Sequence, residues 1–163
     1  MYDERASGRL EGGVNGYAYV SNNPLKYTDP LGLIKWSGTV FTIAGGMAGW
    51  DLYTLTSECK CGYRAIARVS AMSASYGRGF TFAGSTVTLE DNQSCVDPYI
   101  LEGGYLRISA GAAAGLGYGY NFIVMGGARS PGSFGWQGGF DLSAGSSVGQ
   151  ATVEWATKEK CCN

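Results

Sequence analysis

Residues 106–124, LRISAGAAAGLGYGYNFIV, decide the fold class of this chain. Their even positions are apolar or aromatic and their odd positions are small or polar, which is the period-two pattern of a β-strand. No charge occurs between Arg107 and Arg129, so a membrane-spanning helix is the rival interpretation. The glycines that alternate with tyrosines favour a strand, because each glycine would weaken a helix by about 1 kcal/mol.

A second alternating run follows the turn formed by residues 129–132, RSPG. Two such runs joined by a turn predict a long antiparallel hairpin. The alternation changes phase near Gln150, because Val153 and Trp155 fall on odd positions, and this predicts a bulge or a turn there. The apolar residues that share one face of the second run are Phe134, Trp136, Phe140, Leu142, Ala144 and Val148.

Two shorter segments, residues 63–72 and 85–89, also alternate with period two. Arg64 and Arg68 share one face of the first segment, and the second is rich in β-branched residues. The prediction is therefore an all-β fold, an antiparallel glycine-rich sandwich or small barrel with long hairpins.

Residues 36–50, WSGTVFTIAGGMAGW, carry no charge. As a helix they would extend about 22 Å, short of the roughly 30 Å hydrocarbon core of a bilayer. Gly45 and Gly49 have GxxxG spacing, with Gly46 beside them. We expect a flexible apolar segment or a short helix that packs on the sheet.

The long hairpin allows two interpretations. It either forms the inner wall of a water-soluble sandwich or barrel, or inserts into a membrane, because alternating apolar and small polar positions suit a lipid-facing strand. In the second interpretation the membrane-active side chains are Leu116, Tyr118, Tyr120, Phe122, Trp136 and Phe140.

The composition excludes several kinds of chemistry. The 163 residues include 27 glycines and no histidine, so histidine bases, Ser-His-Asp sites and zinc-histidine sites are absent. We expect no metal and no cofactor. Residues 34–163 hold nine Lys or Arg and nine Asp or Glu, so no basic surface recruits nucleic acid.

The five cysteines lie in three groups. Their spacing is not that of a zinc site. A bridge between the first and last groups would close a loop of roughly 100 residues, which would stabilise the fold by about 4 to 5 kcal/mol. We expect disulfides in an oxidising compartment, and the odd count leaves one thiol free. The candidates are Cys59, Cys61, Cys95, Cys161 and Cys162.

Residues 15–33, NGYAYVSNNPLKYTDPLGL, contain Pro24, four further residues and then DPLGL. By itself this stretch predicts short strands and turns. It resembles the PxxxxDPxGL signature that closes the core of RHS (YD-repeat) proteins. The resemblance implies a core remnant at 1–33, a variable toxin-like domain at 34–163, and a processing junction at Asp29, Pro30, Gly32 and Leu33.

The RHS resemblance also implies delivery and a partner. The polar, charged start of the chain predicts no signal peptide, so we expect secretion or delivery into a target cell by a type VI or related system. A cognate immunity protein would bind the toxin domain. If the long hairpin is membrane-active, the target would be a bacterial membrane.

Two other functions stay open from the sequence. NAD-consuming and ADP-ribosyltransferase toxins, which are common RHS cargoes, use an Arg, a Ser/Thr stretch and a Glu. Arg78 with Glu102 or Glu154 would supply those groups here. A non-enzymatic adhesion or structural β domain is the third candidate.

Overall fold

The computed structural model describes residues 33–76 and 81–161; for Tyr76 and positions 133, 135, 137–138 and 140–143 it describes the backbone alone. A division of the chain falls between Gly32 and Leu33, and the fold below belongs to the second unit. The sequence-predicted core remnant, the junction residues before Leu33, Arg78 and Cys162 lie outside the described residues.

The described chain consists almost entirely of antiparallel strands. A single 3-10 turn, Pro98–Leu101, begins at Asp97, whose side chain accepts a hydrogen bond from the Tyr99 N–H. The strands are β1 (Ile34–Gly45), β2 (Ala48–Ser57), β3 (Tyr63–Tyr76), β4 (Thr81–Asp91), β5 (Gly103–Met125), β6 (Ala128–Arg129) and β7 (Ser133–Lys160).

These strands close into a seven-stranded barrel. β1 pairs with β2 on one side and β4 on the other, β2 pairs with β3, and β3 pairs with β7. β7 also pairs with β5 and β4, which completes the ring. The predicted all-β fold is confirmed, and of the two architectures left open by the sequence the chain adopts the barrel.

β5 and β7 form the long predicted hairpin, with Gly103 opposite Ala151 and Asn121 opposite Ser133. The hairpin bends back on itself: the Gly126 N–H donates to the Gly104 carbonyl at 2.9 Å. Gly115, at the bend, has φ +95°, a conformation that glycine adopts without a steric penalty. Each long strand therefore contributes two segments to the barrel wall.

The barrel has two ends of different construction. The bend end contains the β1–β2 turn at Gly46, the start of β4 at Thr81 and the bend of β5 at Gly115. The disulfide end contains the bonds Cys59–Cys161 and Cys61–Cys95, which confirms the predicted disulfides for these four cysteines.

The hydrophobic core lies at the disulfide end. Trp36 is fully buried there, and its indole Nε1–H donates to Asp91 Oδ2 at 2.6 Å. This end is built like an ordinary water-soluble barrel, apolar inside and polar outside. Its largest buried side chains are Ile34, Trp36, Tyr53, Leu55, Leu89, Leu101, Tyr105, Ile123 and Met125.

The expectation of a helix or flexible segment at residues 36–50 is wrong. The segment is a tight hairpin of β1 and β2, with Gly45 opposite Ala48. Val40 and Ala44 point inward while Phe41 and Ile43 point outward, so a period-two pattern was present but masked by apolar residues on both faces. Gly46, with φ +61°, makes the turn.

The predicted phase change in β7 is also displaced. Arg68 opposes Trp155 while Val69 opposes Val153, so the bulge lies at Glu154, four residues after the predicted position. Val153 packs against the core and Trp155 faces solvent.

Within residues 33–76 and 81–161, no helix is long and apolar enough to cross a membrane.

Candidate functional site

The interior of the barrel changes character along its axis. At the disulfide end the inward side chains are mainly apolar, whereas at the bend end they are mainly small or polar. This second arrangement inverts the usual pattern of a water-soluble protein. The buried polar residues of the bend end are Thr42, Asp51, Ser73, Ser75, Thr81, Arg107, Ser109 and Ser147.

A buried ion pair lies where the two interiors meet. Arg107 Nη1 bonds to Asp51 Oδ1, and both side chains are almost fully buried. The same guanidinium donates to Thr42 Oγ1 at 2.6 Å and, from Nη2, to Asn121 Oδ1 at 2.8 Å. These hydrogen bonds satisfy charges whose removal from water would otherwise cost several kcal/mol each.

Two tyrosines connect this ion pair to the apolar core. Tyr105 Oη donates to Asp51 Oδ2 at 2.7 Å, and the hydroxyls of Tyr53 and Tyr105 lie 2.8 Å apart. Burial, together with the neighbouring Tyr53 and Asp51, raises the pKa of Tyr105 well above its ordinary value. Tyr105 therefore keeps its proton and acts as a hydrogen-bond donor to the carboxylate.

The exterior of the bend end is apolar. Large hydrophobic side chains surround it on β1, β2, β3, β4, β5 and β7, and several are more exposed than buried: Leu116 at 79%, Trp136 at 72% and Met72 at 71%. We call this set the apolar belt. Its members are Phe41, Ile43, Met47, Trp50, Met72, Phe82, Ile108, Leu116, Tyr118, Phe134, Trp136 and Val148.

Aromatic rings of the belt contact one another across the strands. Tyr118 stacks on Phe134, with ring planes 10° apart, and meets Trp136 edge to face at a centroid distance of 5.5 Å. On another part of the wall, Phe41 meets Phe82 edge to face at 5.1 Å. Cross-strand pairs of this kind hold the rings in place while they stay exposed.

Charged side chains lie beyond the belt, toward the disulfide end. Lys35 lies opposite Glu90, which also lies opposite Arg129, and Arg68 forms an ion pair with Glu154 at 3.2 Å. We call these five residues the charged collar. Among the described side chains of the bend end, the only charged ones are Asp51 and Arg107, and they are paired inside.

Exposed hydroxyl residues separate the belt from the collar. On β1 the outward positions run from Lys35 through Ser37 and Thr39 to Phe41, and on β4 from Glu90 through two threonines to Phe82. We call this band the Ser/Thr zone. Its exposed members are Ser37, Thr39, Thr54, Thr86, Thr88 and Thr152.

Comparisons with protein-family models, curated proteins and solved structures give no match. The function must therefore be inferred from the side chains on the surface and in the interior of the barrel.

The structure brings the predicted hairpin residues together on the outside of the bend end. Leu116, Tyr118 and Trp136 are exposed there. Tyr120 and Phe122 are half-buried on the same outward face, and Tyr120 packs on Phe134 with ring centroids 4.9 Å apart. The side chain of Phe140 lies outside the described residues.

Of the candidate enzymatic residues, Glu102 and Glu154 do not line either of the described surface depressions. Glu102 is exposed after the 3-10 turn, and Glu154 forms its ion pair with Arg68 on the surface. Among the described residues, no group of three or more His, Cys, Asp or Glu could hold a metal ion.

Two surface depressions lie at the disulfide end, and neither includes Glu102 or Glu154. One has a volume of about 280 Å³ and lies beside the Cys61–Cys95 bond. The other, of about 230 Å³, includes Leu33, the last residue of the predicted junction. It is lined by Leu33, Glu90, Asp91, Asn92, Gly127 and Arg129.

Sequence reasoning missed the part of the belt that lies outside the long hairpin. Phe41, Ile43 and Trp50 lie in the segment that was expected to be a flexible apolar stretch or a short helix, although their alternate spacing is that of a strand. Met72 and Phe82 are each flanked by small residues, so no local sequence pattern identified them as exposed apolar positions. The Asp51–Arg107 pair joins residues 56 positions apart, and only closure of the barrel reveals it.

Proposed function

We propose that this chain carries a membrane-permeabilising domain, the toxin of an RHS-type effector that acts on a target bacterial membrane. The observation that carries the proposal is the apolar exterior of the bend end, where the described outward side chains carry no charge and aromatic side chains are exposed on the β5–β7 hairpin. Such a surface is unfavourable in water and favourable against lipid.

The energetics of the belt support binding to lipid. Burying one large apolar side chain stabilises by about 1.5–3 kcal/mol, and the belt offers twelve such residues at partial to high exposure. Even a few of them would more than offset the loss of motional freedom on membrane binding. The polar interior needs no change on insertion, because its ion pair is satisfied within the barrel.

The remaining parts of the proposal follow from the sequence. The DPLGL segment would separate this domain from an RHS core, with release after Leu33. The two disulfides suit an oxidising compartment such as the periplasm, outside the reducing cytosol. A cognate immunity protein would protect the producing cell by covering the apolar belt.

The test is dye release from vesicles of bacterial lipid composition, measured with the purified full chain. We expect release by the unchanged protein and a loss of at least tenfold in Tyr118→Asp and Trp136→Asp, because a charge on the belt opposes transfer into lipid. The matched control is Thr157→Asp, an exposed position of β7 between Glu154 and Cys161 at the disulfide end, which should keep its activity.

Circular dichroism of each variant confirms that the barrel is folded. If the vesicles stay intact at all protein-to-lipid ratios, the permeabilising function is wrong. NAD consumption assayed on the same sample then decides for the enzymatic function, and Arg78, Glu102 and Glu154 become the positions to change.

A further inference from the structure

We infer that the barrel inserts as a closed unit into one leaflet of a lipid bilayer, bend end first, and stops where the Ser/Thr zone reaches the headgroups. This inference rests on the proposed function and specifies its partner surface, its depth and its orientation. It differs from insertion of the β5–β7 hairpin alone, because every wall of the bend end takes part.

On β1 and β4 the outward side chains form three successive layers, whereas the outward positions of β5 carry no Ser, Thr or charge from Leu106 to Val124. The apolar belt comes first from the bend end, then the Ser/Thr zone, then the charged collar. The same sequence of layers recurs on strands that are far apart in the chain: Ile43, Thr39 and Lys35 on β1 are matched by Phe82, Thr86 and Glu90 on β4. A bilayer presents the complementary series of hydrocarbon, hydrated headgroups and water.

On β1 the height of the belt fits a single leaflet. Residues 41–45 of β1 cover about 16 Å along the strand, or about 12 Å along the barrel axis at the usual strand tilt. One leaflet of hydrocarbon is about 15 Å thick. A strand that crosses the whole bilayer needs about 9–11 residues, and the Ser/Thr zone begins before that length is reached.

The belt continues on the wall opposite the hairpin. Trp50 lies on β2, which pairs only with β1 and β3 and makes no pairing with β5 or β7. Its register partner on β1 is Ile43, and its partner on β3 is the exposed Met72. If the hairpin alone entered the membrane, these three apolar side chains would stay in water.

The interior explains how a closed barrel can enter lipid without unfolding. The described strands of the bend end are hydrogen-bonded to their neighbours around the ring, and the charges of Arg107 and Asp51 are enclosed by the wall. Beyond them, Tyr53 and Leu55 fill the barrel at the disulfide end. Only the outer surface therefore exchanges water for lipid.

The native tryptophans provide the test, because they lie at three levels. Trp50 and Trp136 are in the belt, Trp155 is beside the collar, and Trp36 is buried in the core. Three variants of the full chain each keep Trp36 and one other tryptophan, with the remaining two changed to Phe. The variant that keeps Trp36 alone supplies the signal to subtract.

Each variant is mixed with vesicles of bacterial lipid composition that carry bromine at a defined depth of the acyl chain, and with aqueous iodide in a parallel sample. We expect the bromolipid to quench Trp50 and Trp136 at least twofold, and bromines near the headgroup end of the chain to quench more than bromines near the bilayer centre. Trp155 should be quenched by iodide alone.

The outcomes separate this inference from the function on which it rests. If the bromolipid quenches Trp136 but not Trp50, the closed barrel does not insert as a unit, and only the β5–β7 hairpin enters the membrane. If the bromolipid quenches Trp155, the proposed depth of insertion is wrong, because the charged collar would then lie inside the membrane. If no tryptophan responds to lipid, the proposed function itself fails.

Discussion

Arg107 is the residue on which the polar interior depends, because its guanidinium connects β5 to β1 and β2. Replacing it by Met leaves Asp51 buried without a cation, and we expect the free energy of unfolding to fall by about 3–5 kcal/mol in urea titrations. The double variant with Asp51→Asn should regain part of that loss. An Arg107→Met protein as stable as the parent would contradict the structural role of the pair.

Tyr105 gives the barrel a sensitivity to alkaline pH. Its pKa is raised in the folded state, mainly by burial, while in the unfolded chain it titrates at about 10. The folded state therefore holds its proton more tightly, and the stabilisation is complete below pH 10 and is lost as the pH rises toward the folded pKa. We expect unfolding midpoints to fall more steeply between pH 9 and 11 in the parent than in Tyr105→Phe.

Comparing how steeply the unfolding midpoints of the parent and of Tyr105→Phe fall with pH separates the contribution of Tyr105 from those of the other tyrosines and of the lysines. Tyr105→Phe also loses the hydrogen bond to Asp51, so its stability should be lower at every pH by about 1–3 kcal/mol. Parallel pH profiles for the two proteins would show that Tyr105 does not contribute to the alkaline loss.

Gly38 sets how closely β1 and β2 approach. A Cβ there would overlap the carbonyl oxygen of Thr54, whereas a Cβ at Gly84 on β4 would have its nearest neighbour, the Val40 carbonyl oxygen, at 3.9 Å. We expect Gly38→Ala to lower the free energy of unfolding by about 2–3 kcal/mol, while Gly84→Ala changes it by less than about 1 kcal/mol. Equal effects in thermal melts would mean that the wall relaxes around the added methyl group.

The individual strands were largely predictable from the sequence, and their arrangement was not. Residues 106–124 alternate over a long distance, so local pattern alone identified β5 and its partner. The fold-back at Gly115 depends on contacts between the two halves of one strand, such as Gly117 against Ala112, which no local pattern encodes. The β1–β2 hairpin was missed because apolar residues on both faces disguised the period of two.

Which face of each strand points out of the barrel was harder to predict than the strands themselves. Alternation states that Tyr118 and Gly119 point opposite ways, but it does not state which of them points to the lumen. Closure around Arg107 and Asp51 decides this, because a buried ion pair requires polar neighbours inside. The apolar face is thereby left outside.

The two disulfides hold the end of the barrel that we expect to remain in water. Cys59–Cys161 joins residues 102 apart, and Cys61–Cys95 joins residues 34 apart. In the chain-entropy model they stabilise by about 5 and about 4 kcal/mol. We expect removal of the first by Cys59→Ser with Cys161→Ser to lower the unfolding midpoint at least as much as removal of the second by Cys61→Ser with Cys95→Ser.

Calorimetry of the two double variants, each with the other bond intact, measures both losses. A larger loss for the shorter loop would mean that local contacts near Cys95, and not loop closure, determine the stabilisation. Full reduction of the parent should resemble the sum of the two losses.

The Cys59–Cys161 bond also limits the routes by which this protein can be transported. It converts most of the barrel into a covalent ring, and a ring cannot be threaded through a narrow conduit as a single extended polypeptide. Any transport route that moves unfolded chains one residue at a time must therefore handle the reduced form. Disulfide formation after transport would then make the movement irreversible, because a chain with closed disulfide rings can no longer be threaded back through the same conduit.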